Sequence, residues 1–425
     1  TFQVVLQSIT GGVIQNSDRA TVTIAEPGAR DEDFNSNFIN SSVNKVIVQP
    51  DGSQLIAGPF SLLQNSTTFT TYTRRGIARL GADGLPDPAF GAGMGLSAAA
   101  DQTVQDIERQ PDGKIIVVGS FNSFNGVTHN NIVRLNADGS TDSTFDAAVG
   151  PNDQVNDVVL LPDGTMLIGG AFTSVAGVPR EYVARLNADG TLDPNFVGPD
   201  FGGTGGWNVS TLAVDGSGRI LVGGNFYFGG GSFRAGLCRL SANGVLDSTF
   251  SGVTDGAHQS GNTSSLRNVR GIELQTDGKI LIVGSFTAFN NVARGGLARL
   301  ETTGALDTTF APSGAAEGCN VVRILPADGR LLVGGGFTTF NGQTVANLVR
   351  LSSTGVLDSG FMSAGTPAGD VNDIVVQSDG RVVLGTDFGP FQTDTNGRPV
   401  WRFYSGMLEG PGTVQFSSAT VTTGE

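Results

Sequence analysis

Arginine and aspartate recur along this chain with a regularity that invites a chemical reading. Arg79, Arg134, Arg185, Arg239, Arg299, Arg350 and Arg402 form one series, and Asp31, Asp87, Asp142, Asp193, Asp247, Asp307 and Asp358 form another. A guanidinium and a carboxylate can join through charge-assisted hydrogen bonds, inside one structural unit or between two. A substrate site rarely needs seven equal copies, so both series read as structural. The histidines, His129 and His258, stand alone in segments connecting apolar runs, without Cys, Asp or Glu at ligand spacing. No nucleophile elbow, H-E-x-x-H pair or phosphate-binding loop occurs. No catalytic or cofactor-binding residue is therefore assigned, the identity of any metal ligand stays open, and the chain reads as a non-enzyme. The one route to a hydrolase is a pair of carboxylates converging from distant parts of the chain.

Bulk chemistry narrows the partners. The net charge is −14, and Lys45, Lys114 and Lys279 are the only lysines. Nucleic acid calls for a concentrated basic face, so that class is set aside. No run approaches the ~20 apolar residues of a membrane helix, so no membrane span is expected. Calcium is the cofactor that the surplus of carboxylates and the Gly/Asn/Asp loops would suit. No EF-hand or nonapeptide calcium repeat accompanies them, and Asp in a turn more often bonds its own backbone. Cys238 and Cys319 lie in units that are not neighbours, which favours two buried thiols over a disulfide. Asn40, Asn65, Asn208 and Asn262 head N-x-S/T sequons, which matter only in a host that glycosylates them. The chain starts at Thr1 without a signal peptide, as a piece of a longer protein would.

The elements that must position these residues follow from the segment Val104–Phe145, VQDIERQPDGKIIVVGSFNSFNGVTHNNIVRLNADGSTDSTF. Two alternating apolar runs flank Asp112-Gly113 and two more flank Asp138-Gly139, the pattern of a hairpin whose glycine takes a positive φ. The unit is thus four antiparallel strands, a to d. Strand b ends at Phe60, Phe121, Phe172, Phe226, Phe286, Phe337 and Phe388, and the Arg series marks strand c. Strand d ends at Phe90, Phe145, Phe196, Phe250, Phe310 and Phe361, always 11 residues after the Arg. Such a tandem array is one supersecondary unit repeated. The seventh d strand is missing after Arg402, while Arg30–Phe34, RDEDF, supplies its D-x-x-F ending at the other end of the chain. A chain that begins with the outer strand of its last unit closes a ring without edges. The expected fold is all-β, a seven-bladed β-propeller closed by an N-terminal outer strand, with residues 30–38 paired to the blade that ends near Arg402.

The motif PDGKIIVVGSF…IVRLNADGSTDSTF resembles the delta-sixty repeat, a bacterial β-propeller repeat common in large secreted and surface proteins. Blade 4 departs with Ser217-Gly218 in place of Asp-Gly, and blade 7 departs in strand c. Residues 1–28 resemble the closing strands of a Calx-β sandwich, and 411–425 resemble an opening strand. The expected domains are 1–29, partial Calx-β-like strands; 30–405, the propeller; and 406–425, the start of a second Calx-β-like segment. In such blades the a–b and c–d turns share one face, while the insertions 61–76, 91–103, 197–208 and 251–268 all fall on the other. Both chain ends would emerge on the turn face. These resemblances imply an extracellular or cell-surface structural or adhesive module, part of a surface protein or filament that self-associates by strand pairing at its termini. The alternative is a propeller that recognises a glycan or a surface protein through its variable loop face.

Overall fold

The computed structural model describes residues 34 and 38–404, apart from 66, 92–94, 98–101, 146–149, 200, 202–206, 229–233, 260–261, 267, 316–317, 362–366, 368 and 388–399. The flanks that resemble Calx-β strands, together with Asp31 and Phe388, lie outside the described residues. Every regular element among those described is a β-strand.

Among the described residues seven antiparallel three-stranded sheets succeed one another, each in the order a-b-c. The a strands are Lys45–Val48, Thr103–Arg109, Val155–Leu160, Asn208–Val214, Val269–Leu274, Cys319–Ile324 and Val371–Val376. Each packs against the a strand of the next blade, and the last packs against the first, so the ring is closed. The b strands, such as Ile115–Ser120 and Met166–Gly170, are buried almost throughout because a neighbouring blade covers each face. That is why they read as unbroken apolar runs instead of alternating ones. Register is uniform: Leu167 pairs with Arg185, Leu281 with Arg299, and in the divergent blade 7 Val383 pairs with Arg402.

The expected fourth strand is mostly a turn. Its contact with strand c shrinks to a single bridge, as in Leu135↔Thr141 and Leu186↔Leu192. The cause is the Asp-x-x-Phe sequence itself. Asp142 Oδ1 accepts the Thr144 N–H at 3.0 Å and its Oγ1 at 2.7 Å, while the Phe145 N–H returns to the Asp142 carbonyl at 3.3 Å. A short side chain that bonds its own backbone competes with a sheet ladder and wins here. The turn drives the phenylalanine into the seam with the next blade, and Phe145 packs with Ile116 of its own blade and Val155 and Val158 of blade 3.

The b–c connections carry small hairpins that complete the outside of the blades, for example Ser123–Phe124 with Val127–Thr128. Asn125 and Gly126 form their turn with φ of 49° and 79°, the conformation Asn-Gly favours. Where it is described, the segment after Asp-x-x-Phe crosses to the next blade's hairpin, as in Leu96↔Phe124 and Ala315↔Phe340. Of the expected outer strand at 30–38, residues 30–33 and 35–37 lie outside the described residues. At its end, Phe38–Ile39 pair with Leu62–Gln64 of blade 1 and not with blade 7. Phe34, however, packs with Val383 of blade 7 and Val46 and Ile56 of blade 1, the seam position its counterparts occupy elsewhere. Ring closure is reinforced by Val43 N–H to Thr386 O at 2.9 Å.

Glycines of the c–d turns have a second duty. A Cβ on Gly190 (φ 92°) would lie 2.9 Å from the Phe145 ring of the preceding blade, whereas one on Gly164 (φ 86°), in the a–b turn, would meet nothing closer than Ala188 Cβ at 3.6 Å. The Gly164–Ala188 approach also places both turns of a blade on one face. Gly164→Ala should therefore cost only the left-handed backbone penalty of about 1–2 kcal/mol. Gly190→Ala should cost a further 1–3 kcal/mol, roughly, from overpacking. Chemical denaturation of the two variants side by side checks the difference.

Candidate functional site

The Arg and Asp series come together in the seams. In the described blades the Arg Nε donates to its own blade's Asp Oδ2 at 2.7–2.8 Å. Its Nη1 donates to a turn carbonyl of the following blade: Arg79 to Ala137, Arg134 to Ala188, Arg185 to Ala242, Arg239 to Thr302 and Arg299 to Ser353, at 2.5–3.0 Å. The guanidinium also lies over the Phe ring that ends the same blade, 4.5–5.4 Å from the centroid in six blades. Each arginine is thus a pin through three structural partners. Burial pushes the Asp142 and Asp307 carboxyls up, but Lys114 or Lys279 together with the turn and Arg donors holds both well below the usual carboxylate range.

The turn aspartates are occupied too. Asp112, Asp163 and Asp277 each accept the backbone N–H two residues on at 3.0 Å. His258 is buried in the blade 5 insertion, with Nδ1 2.9 Å from Gln259 O and Nε2 accepting the Asn291 N–H at 3.1 Å. His129 is buried, with no partner for either ring nitrogen among the described residues, and burial lowers its pKa. Cys238 and Cys319 are buried thiols in blades 4 and 6, and burial pushes the Cys319 thiol up to about 12. Among the described residues no group of three or more His, Cys, Asp or Glu is arranged to hold a metal ion.

A second set of charged groups, which the repeat pattern does not announce, converges on the ring axis. It begins with β-bulges in the a strands, between Val104 and Asp106, Val155 and Asp157, and Val371 and Asp373. Each bulge turns an aspartate towards the axis, where its Oδ2 accepts an a-strand N–H of the next blade. Asp373 bonds Val46 at 2.9 Å, Asp106 bonds Val158 at 3.0 Å and Asp157 bonds Leu212 at 2.5 Å. Lys45 Nζ lies 2.7 Å from Asp106 Oδ1. Arg323 reaches Asp373 at 3.1 Å and Glu273 at 3.6 Å. One layer nearer the variable face, Asn44, Asn156, Asn320 and Asn372 each donate to a backbone carbonyl of the following blade, Asn372 to Val43 at 3.3 Å across the closing seam.

The electrostatics of this belt follow from five carboxylates facing two cations. Burial pushes Glu108 up to about 7, with Asp106 adding to it. Burial, and then the facing Asp106, raise Asp157 well above the ordinary aspartate range. Burial alone would lower Lys45, but Asp106, Asp373 and Glu108 outweigh it and keep the ammonium charged. The carboxylates a hydrolase would need do converge. Three of them, however, already have one oxygen committed to a strand N–H.

The profile described as "Domain of unknown function (DUF5122) beta-propeller" matches residues 49–90, 110–145, 161–196, 216–250, 275–310 and 327–361, together more than half of the chain. The chain belongs to this DUF5122 family. Each matched segment ends on the seam phenylalanine of one of blades 1–6. No curated protein matches the chain. Among solved structures, the WD40 β-propeller domain of Doa1 is similar, with 11% identity, a TM-score of 0.52 and coverage of 89% of this chain and 95% of that one. That likeness is one of fold. An extracellular domain of a putative one component system from B. thetaiotaomicron shares 10% identity at a TM-score of 0.46, over 89% of this chain and 42% of that one. A catalytically inactive virginiamycin B lyase from Staphylococcus aureus shares 11% identity at a TM-score of 0.47, over 87% of this chain and 97% of that one.

Proposed function

We propose that this DUF5122 propeller is an extracellular, non-catalytic structural or adhesive module of a larger surface protein or filament. One observation carries the reading: the repeated charges, from the seam arginines to the axial aspartates, are spent on holding blades together. What remains for contact with other molecules is the loop face and the chain ends. The delta-sixty resemblance of the repeat and the Calx-β resemblance of residues 1–29 and 406–425 support the surface setting and a chain that self-associates through terminal strands.

A binding role for the variable face has its own support. The blade 1 insertion builds an additional sheet, Phe38–Ile39, Leu62–Gln64 and Thr71–Thr73, and displays Phe69 at 73% exposure. A surface glycan or protein would meet that face first. Sedimentation of the intact chain beside a version lacking residues 406–425 tests the self-association. Larger species from the intact chain alone are expected; identical sedimentation of both would remove the terminal joint. In the same preparations, retention on immobilised polysaccharide that Phe69→Ala abolishes would favour the loop-face reading.

A further inference from the structure

Just before strand c, five blades make the same demand on their chain. One residue there gives its N–H to the carbonyl of the phenylalanine that ends strand b, and its own carbonyl accepts an N–H from the end of strand b, both at 2.8–3.1 Å. The residue is Gly76, Asn131, Tyr182, Gly296 or Asn347, and its φ lies between 62° and 85°. Glycine and asparagine adopt that conformation readily, whereas a bulky side chain in it is an outlier that its surroundings must hold. Tyr182 of blade 3, 6% exposed, is that outlier. Asn131 and Asn347 also use their amides, donating to Pro151 O at 2.9 Å and Pro367 O at 2.7 Å in the segments that cross to the next blade. The Tyr182 ring instead meets Phe201, in the segment that crosses from blade 3 to blade 4, edge-to-face at 83° with centroids 5.3 Å apart.

Phe201 in turn packs on Phe226, the phenylalanine that ends the apolar run of strand b in blade 4, at 5.0 Å and 70°. In blades 2, 5 and 6 the corresponding ring faces a phenylalanine of the same blade's outer hairpin: Phe121 with Phe124, Phe286 with Phe289 and Phe337 with Phe340, at 5.5–6.3 Å. Among the described residues blade 4 folds no such hairpin. Its strands Ile220–Phe228 and Arg234–Leu240 run on as one ribbon, with Phe228 opposite Arg234. We propose that Tyr182 and Phe201 form a replacement plug: the segment leaving blade 3 supplies the ring that blade 4's own connection leaves out, and the strained tyrosine keeps it seated. Phe201 and Phe226 are both fully buried, so the seat is filled. The exchange lets the blade 4 ribbon continue where its counterparts turn into separate hairpins. Tyr182 is thus a positioning residue, and its strain is sustained chiefly by Phe201. That dependence has a measurable sign. With Phe201 in place the aromatic contact outweighs the backbone cost; without it the cost prevails.

The test is a double-mutant cycle read by melting temperature: Tyr182→Asn, Phe201→Ala and the two together. Asparagine is the residue of blades 2 and 6 and is at ease with this φ. In the otherwise intact chain Tyr182→Asn should lower the midpoint. In the Phe201→Ala chain the same change should raise it, by about 1–2 °C for a chain of this length. If it lowers the midpoint there or leaves it unchanged, Tyr182 is an ordinary buried ring and the proposal falls. A rise in both chains also overturns it, since Phe201 would then not be what sustains the strain. Should Phe201→Ala fail to fold, chymotryptic cleavage after Phe201 in the folded chain decides. Tyr182→Asn should speed that cut roughly three- to tenfold, the worth of one aromatic pair, and Tyr182→Phe should leave it at the wild-type rate. Equal rates in the wild type and Tyr182→Asn, or equally fast cleavage of both variants, overturn the plug.

Discussion

Replacing Arg185 by alanine is expected to cost about 3–5 kcal/mol of folding stability, the usual penalty for breaking a buried pair from one side. The Arg185 and Asp193 side chains are 15% and 9% exposed, and Arg185 Nε lies 2.7 Å from Asp193 Oδ2. Its loss strands the carboxylate, removes the bond to Ala242 in blade 4 and uncovers the Phe196 ring. Glu301→Gln supplies the contrast. Glu301 reaches Lys279 at 2.8 Å but is 43% exposed, so it should change stability by under about 1 kcal/mol. Denaturant midpoints of the two variants read the difference, and binding to any loop-face partner should survive both. Unchanged stability with lost binding in Arg185→Ala would mean that the arginine series serves a ligand instead.

The second large effect is expected at the ring's closing seam. Phe34→Ala should cost about 3–5 kcal/mol, the range for emptying a buried aromatic site. Phe34 is 2% exposed between Val383 of blade 7 and Val46 and Ile56 of blade 1. Phe69→Ala, at a position 73% exposed, should stay within about 0.5 kcal/mol. If closure depends on Phe34, its variant should also lose cooperativity, because an opened ring presents unpaired blade surfaces. Equal midpoints for the two variants would place the closing contact elsewhere, among Val43, Thr386 and the Asn372 amide.

The repeat is legible because it is written in residues that cannot vary without breaking a seam. The Asp-Gly turns need a positive φ, the seam phenylalanines fill space beneath a neighbour's glycine, and Arg402 keeps the register of its series even where the motif around it fades. The outer hairpins are legible too: Asn125-Gly126 between Phe124 and Val127 is the same turn signal that marks the long hairpins. The fourth strand is not, because alternation and an Asp-x-x-Phe turn look alike until the carboxylate's backbone bonds are known. At the N-terminus, the D-x-x-F ending correctly marks a seam residue, Phe34. Beyond it, the first described residues, Phe38–Ile39, join the outer sheet of blade 1.

Sequence by itself therefore determined the all-β class, the ring and its pins, since those rest on local turn chemistry copied from blade to blade. The axial belt was decided by tertiary structure alone. Lys45, Asp106, Asp157 and Asp373 hold equivalent positions in their a strands, but they are far apart along the chain and differ from the residues at the same place in blades 4 to 6. Periodicity reveals what repeats, and the belt is made of what does not. Only the bulges beside Asp106, Asp157 and Asp373, and a ring that closes blade 7 on blade 1, bring five carboxylates and two cations together.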